Sequence, residues 1–140
     1  TGHTALVSAE LPRRRLTPPH LAYVKIAEGC NHACSFCAIP GIRGPLQSRP
    51  RADILAEARR LAADGVREVI LISQDTTAYG HDRGDRHGLV RLLEALAAVP
   101  GLRWIRLHYL YPTKITTELL RCMAEEPKVC RYLDLPLQRC

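Results

Sequence analysis

Glu68-Val69-Ile70-Leu71-Ile72-Ser73 is the run that decides the fold. It is too short for a helix, rich in β-branched side chains and apolar at successive positions, as a strand buried on both faces between helices must be. On its N-terminal side, Ile54, Leu55, Ala58, Leu61 and Ala62 recur at helical spacing after Pro50, and Gly65 stands as a stop. Before that helix lies the strand-like Ala22-Tyr23-Val24-Lys25-Ile26-Ala27, ended by Gly29. On the C-terminal side a helix around Leu89, Leu92, Leu93 and Leu96 ends at Pro100-Gly101. A strand at 103–109, a shorter helix at 115–123 and a last strand at 132–135 follow. Alternating strands and helices with right-handed connections predict an α/β chain with about four parallel strands, coiled into a sheet or barrel segment too short to close.

The chain has 140 residues, 46% apolar and 24% charged, the composition of one soluble globular domain. No stretch approaches the roughly 18 apolar residues of a spanning helix, and the first segment lacks a signal core. A cytoplasmic protein with no membrane partner is expected. The chain opens at Thr1 and stops at Cys140 directly after a predicted strand, so a piece of a larger protein is also expected. Pro12, Pro18, Pro19 and the run Arg13-Arg14-Arg15 mark residues 1–20 as an inter-domain linker, leaving 21–140 as the domain. The net charge of +6 is uneven: residues 1–51 carry seven Lys/Arg against two Asp/Glu. Such a basic leading third suits an anionic partner, nucleic acid or ribonucleoprotein, and equally a solvated surface.

The six cysteines do not resemble a disulfide framework, because the apolar runs are regular. Cys30, Cys34 and Cys37 fall within eight residues, whereas Cys122, Cys130 and Cys140 have no ligand spacing and read as ordinary thiols. The C-x3-C-x2-C loop follows the first strand at its C-terminal end, the end at which α/β sheets bind ligands. Thiolates this close on one loop suit a soft metal centre, either zinc or an iron-sulfur cluster. Zinc needs a fourth ligand, and His32, two residues from either flanking cysteine, makes a strained tetrahedron. Three thiolates on a four-iron, four-sulfur cluster instead leave one iron open to a substrate or cofactor. The spacing favours that arrangement over zinc or a chance group of free thiols.

C-x3-C-x-aromatic-C after the first strand of a βα series resembles the signature of the radical S-adenosylmethionine (SAM) superfamily. Tyr23 to His32, Ile39-Pro40-Gly41-Ile42-Arg43-Gly44 and Ser48-Arg49-Pro50 resemble its methylthiotransferase family. Ile72-Ser73-Gln74-Asp75-Thr76-Thr77-Ala78-Tyr79-Gly80 and Arg106-Leu107-His108-Tyr109-Leu110-Tyr111-Pro112 are similar to the RimO branch, which modifies a ribosomal protein, and differ from the branch that modifies transfer RNA. The resemblance runs from about residue 20 to 138. Arg139 departs from it, standing where the family usually has His.

The resemblance implies a partial TIM-like (β/α) barrel of the radical SAM type, here its N-terminal part. It implies a 4Fe-4S cluster held by Cys30, Cys34 and Cys37, with SAM on the open iron. Cleavage of SAM would give a 5′-deoxyadenosyl radical that takes hydrogen from the β-carbon of an aspartate in small-subunit ribosomal protein S-twelve, before a methylthio group is added. It places Phe36 over the cluster near the adenine, Gln74 and Asp75 on the SAM amino group, Asp134 and Gln138 on the ribose, and Arg49 or Arg43 on the SAM carboxylate or the substrate. Core packing for Phe36 and turn capping for Asp75 are the plainer alternatives. His108 and Tyr109 end the third strand and either line the same mouth or pack in the core. A second 4Fe-4S cluster in a preceding domain, an electron donor such as flavodoxin, and a monomer acting on S-twelve or the small ribosomal subunit complete the expectation. The outside possibilities are a transfer-RNA methylthiotransferase and a non-enzymatic zinc module that binds RNA.

Overall fold

The computed structural model describes residues 16–136; the Arg13-Arg14-Arg15 run, Gln138, Arg139 and Cys140 lie outside them. Strand β1 (Leu21–Lys25) pairs in parallel with β4 (Glu68–Ile72), and β4 pairs in parallel with β5 (Trp104–Leu107), giving the order β1-β4-β5. Between them lie β2 (Ala27–Glu28), α1 (Ile39–Arg43), β3 (Gln47–Ser48) and α2 (Arg51–Ala63), and then α3 (Gly88–Ala97); α4 (Thr117–Glu125) follows β5.

Alternation along the strands sorts the two faces. Ala22, Val24, Val69, Leu71, Ile105 and Leu107 join one core with Ile54, Ala58 and Leu61 of α2, Leu89, Leu92, Leu93 and Leu96 of α3, and Leu119 and Met123 of α4. On the other face the register sets Tyr23, Ile70 and Arg106 side by side. Helices therefore cover one face, as in a barrel wall, and not both faces of β4. Helix α4 is capped by Thr116, whose side chain accepts from the Leu119 N–H at 3.1 Å. The end of α3 is met by Lys128, which donates to the carbonyls of Ala97 at 2.6 Å and Val99 at 3.2 Å.

The fourth expected strand is reduced to one parallel bridge, Ile105 with Val129. Residues 131–136 run beside the continuation of β5 without forming a ladder. Asp134 explains part of this: its carboxylate takes the Tyr109 N–H at 3.0 Å and its carbonyl takes the Leu110 N–H at 3.0 Å, so the segment is pinned at one residue. Among the described residues no helix is long and apolar enough to cross a membrane.

Candidate functional site

The cysteine loop is an excursion between β2 and β3, which pair antiparallel with Ala27 opposite Ser48 and Glu28 opposite Gln47. Gly29 makes the exit. Its φ is +76°, and a Cβ there would lie 2.2 Å from the Pro45 carbonyl oxygen and 2.6 Å from that of Gly44, so only glycine lets the two segments pass. Beyond it, Cys30 N–H donates to Gly44 O at 3.2 Å, and Asn31 Oδ1 accepts from Leu46 N–H at 2.9 Å. A turn closes between Cys34 O and Cys37 N–H at 3.0 Å.

Cys30 is buried, Cys34 half-buried and Cys37 exposed, and none of the three is in a disulfide. They line one cleft of about 480 Å³ at the C-terminal ends of the parallel strands, shared with Lys25 at the end of β1, Gln74 after β4 and Tyr109 after β5. The His32 backbone N–H points at Cys30 Sγ, 3.4 Å away. Among the described residues no three His, Cys, Asp or Glu side chains stand close enough to hold a single metal ion. His32 is occupied elsewhere: its Nε2 is 2.7 Å from Asp75 Oδ2, and its ring stacks on Tyr111 with centroids 3.9 Å apart.

Sequence reasoning missed a second feature of this cleft, the carboxylate of Glu28, which is 3% exposed. It accepts from Arg43 Nη1 at 2.8 Å, from Gln74 Nε2 at 3.0 Å and from Lys25 Nζ. Burial pushes its pKa up, but the hydrogen bonds and charges of Lys25 and Arg43 win and hold it below the ordinary carboxylate range. The position of Glu28 one residue before the Gly-Cys pair was the available signal. Gln74, turned toward Glu28 through its nitrogen, leaves Oε1 buried with no donor.

Asp75 is brought beside Gln74 but is absent from the cleft lining. Its side chain is 2% exposed and accepts from His32, from Lys114 Nζ at 2.9 Å, from Ala78 N–H at 3.3 Å and from Thr77 Oγ1. Arg49 is also set back, 1% exposed, donating to Lys25 O and Glu57 Oε2, both at 2.7 Å, and to Asp53 Oδ2. Phe36 is 61% exposed on the loop, so it does not pack in the core. Asp134 lies on the Tyr109 backbone at the edge of the mouth. Half-buried His108 packs among Tyr23, Tyr109 and Tyr132 and does not line the cleft. Tyr109 itself adopts φ +58°, an uncommon conformation for an aromatic residue, and carries its side chain to the cleft. Burial pushes the Cys122 and Cys130 thiols up, which suits inert side chains.

The Radical SAM superfamily matches residues 24–139. A ribosomal protein uS12 methylthiotransferase RimO of Symbiobacterium thermophilum is 60% identical over 122 residues, 87% of this chain and 25% of the relative. A protein of the same description from Koribacter versatilis is 51% identical over 133 residues, 95% of this chain and 26% of the relative. The chain thus spans about a quarter of the length of these two relatives. In fold it is similar to TsrM, a radical S-adenosylmethionine methyltransferase from Kitasatospora setae solved with tryptophan and a SAM analogue. The TM-score is 0.59 at 20% identity, covering 84% of this chain and 24% of that one.

Proposed function

The chain belongs to the radical SAM superfamily, and we propose that it is the SAM-cleaving part of a RimO-type methylthiotransferase, which adds a methylthio group to the β-carbon of an aspartate in ribosomal protein S-twelve. One observation carries the proposal: three cysteines outside any disulfide and an unpartnered, buried amide oxygen, that of Gln74, belong to residues lining the same cleft. That donor set fits a soft multi-iron group with an amine-bearing ligand beside it. It does not fit the tetrahedral zinc alternative, whose fourth ligand, His32, is held by Asp75 and Tyr111.

Cys30, Cys34 and Cys37 would hold a 4Fe-4S cluster, and Gln74 Oε1 would accept from the amino group of SAM. When bound, cluster and SAM supply one-electron reductive cleavage and a carbon-centred radical. The chain's own residues prepare the place. Lys25 and Arg43 flank the single carboxylate of Glu28, leaving an excess of positive charge that suits the SAM carboxylate. Arg49 works from behind, joining the Lys25 carbonyl to α2. Phe36, exposed on the loop, would pack over the cluster near the adenine, and Asp134 and Gln138 are the ribose candidates.

In this proposal residues 1–20 are a linker and 21–140 the N-terminal part of the core, within a monomeric cytoplasmic enzyme. A further domain would carry a second 4Fe-4S cluster, and a donor such as flavodoxin would supply electrons. The relatives' names support the choice of substrate. Offering the whole parent protein both substrates tests it: the ribosomal aspartate gains a methylthio group, whereas modified adenosine in transfer RNA with unchanged S-twelve overturns it.

A further inference from the structure

We infer that His32 and Asp75 form a bolt that fixes the cysteine loop against the C-terminal ends of β4 and β5, so that Asp75 is a positioning residue for the cysteines. An ionised carboxylate offers about four acceptor sites. Those of Asp75 are filled from inside the chain, by His32, Lys114, Thr77 and the Ala78 N–H, and none is left for a ligand. The donors come from three separate segments. His32 belongs to the loop after β2, Thr77 and Ala78 to the turn after β4, and Lys114 to the turn after β5.

His32 is held on two sides. Its edge donates to Asp75 at 2.7 Å and its face lies on Tyr111, tilted by 29°. Tyr111 is tied back to the same turn, its N–H donating to Thr77 Oγ1 at 3.3 Å. Because His32 sits midway between Cys30 and Cys34 and points its own N–H at Cys30 Sγ, fixing its ring fixes the backbone that presents both sulfurs. A bond to a buried charge is the stronger kind, so the bolt is where the loop's position is decided.

The inference rests on the proposed function for its purpose and not for its test, which needs no cluster. The full metal-free chain is alkylated with iodoacetamide and each cysteine is followed by mass spectrometry, with Cys122 and Cys130 reporting any global opening. His32→Phe keeps a ring on Tyr111 and removes the hydrogen bond; His32→Gln restores a donor at the same reach. The bolt predicts that His32→Phe raises the Cys30 rate about tenfold with Cys122 and Cys130 unchanged, and that His32→Gln returns it to within about twofold. An unchanged Cys30 rate in His32→Phe, an equal rise at all these cysteines, or His32→Gln as fast as His32→Phe each overturns it.

Discussion

Arg49 and Glu57 form an ion pair almost without water: Nη1 donates to Oε2 at 2.7 Å, with the two side chains 1% and 6% exposed. Arg49 carries this charge from β3 to α2 and, through the Lys25 carbonyl, to the end of β1. Removing Glu57 takes one of two carboxylate partners from the buried Arg49 and leaves it Asp53. Glu57→Leu is expected to lower unfolding free energy by about 1–3 kcal/mol, and Arg49→Met with Glu57→Leu by less than the sum of the single changes. Urea unfolding of the three variants measures both quantities.

Gly29→Ala places a methyl group in contact with two backbone carbonyls, neither of which is the flexible end of a side chain. A loss of at least about 2 kcal/mol follows from the clash and the positive φ together. Iron bound per chain after reconstitution falls with it, because the loop can no longer leave β2 at this angle.

Acid should loosen the Asp75 junction. Burial alone would raise its pKa; the hydrogen bonds of Thr77, Lys114 and His32 overcome that and hold it below the ordinary value. A depressed folded value gives stability that is present above the unfolded range of about 3.9 and lost as pH falls through the folded value. Stability measured by urea midpoint therefore declines below about pH 4, and Asp75→Asn makes that part of the profile shallower.

Gln74→Leu removes the unpartnered oxygen together with the bond to Glu28, which keeps Arg43 and Lys25. The two effects on stability oppose one another, so a change under about 1 kcal/mol is expected. SAM affinity of the reconstituted protein, measured by calorimetry, falls about tenfold, the cost of one lost hydrogen bond to a charged amine.

The parts of this fold that were legible in the sequence are those written in local pattern. The run from Val69 to Ile72 could only be a strand, Leu89 to Leu96 only a helix face, and the three cysteines announce their loop by spacing alone. What the sequence hid depends on pairings across long separations. Nothing near Lys114 says that it reaches Asp75, 39 positions away, and nothing near Arg49 says that its charge is buried with Glu57. The fourth strand shows the converse. Tyr132 to Leu135 reads as a strand, yet Asp134 bonds the backbone of Tyr109 and Leu110 and only Val129 bridges Ile105. Glu28 was adjacent to the signature and still unread, because its role comes from Lys25, Arg43 and Gln74 converging on it.

The cleft is proposed to hold an open-iron cluster on Cys30, Cys34 and Cys37. Electron paramagnetic resonance after anaerobic iron and sulfide reconstitution, with and without SAM, tests it most directly. The expected result is a reduced-cluster signal that SAM perturbs, that Cys34→Ala abolishes and that Cys122→Ser leaves intact. One zinc per chain without iron or sulfide, or a cluster spectrum that SAM leaves unchanged, would contradict it.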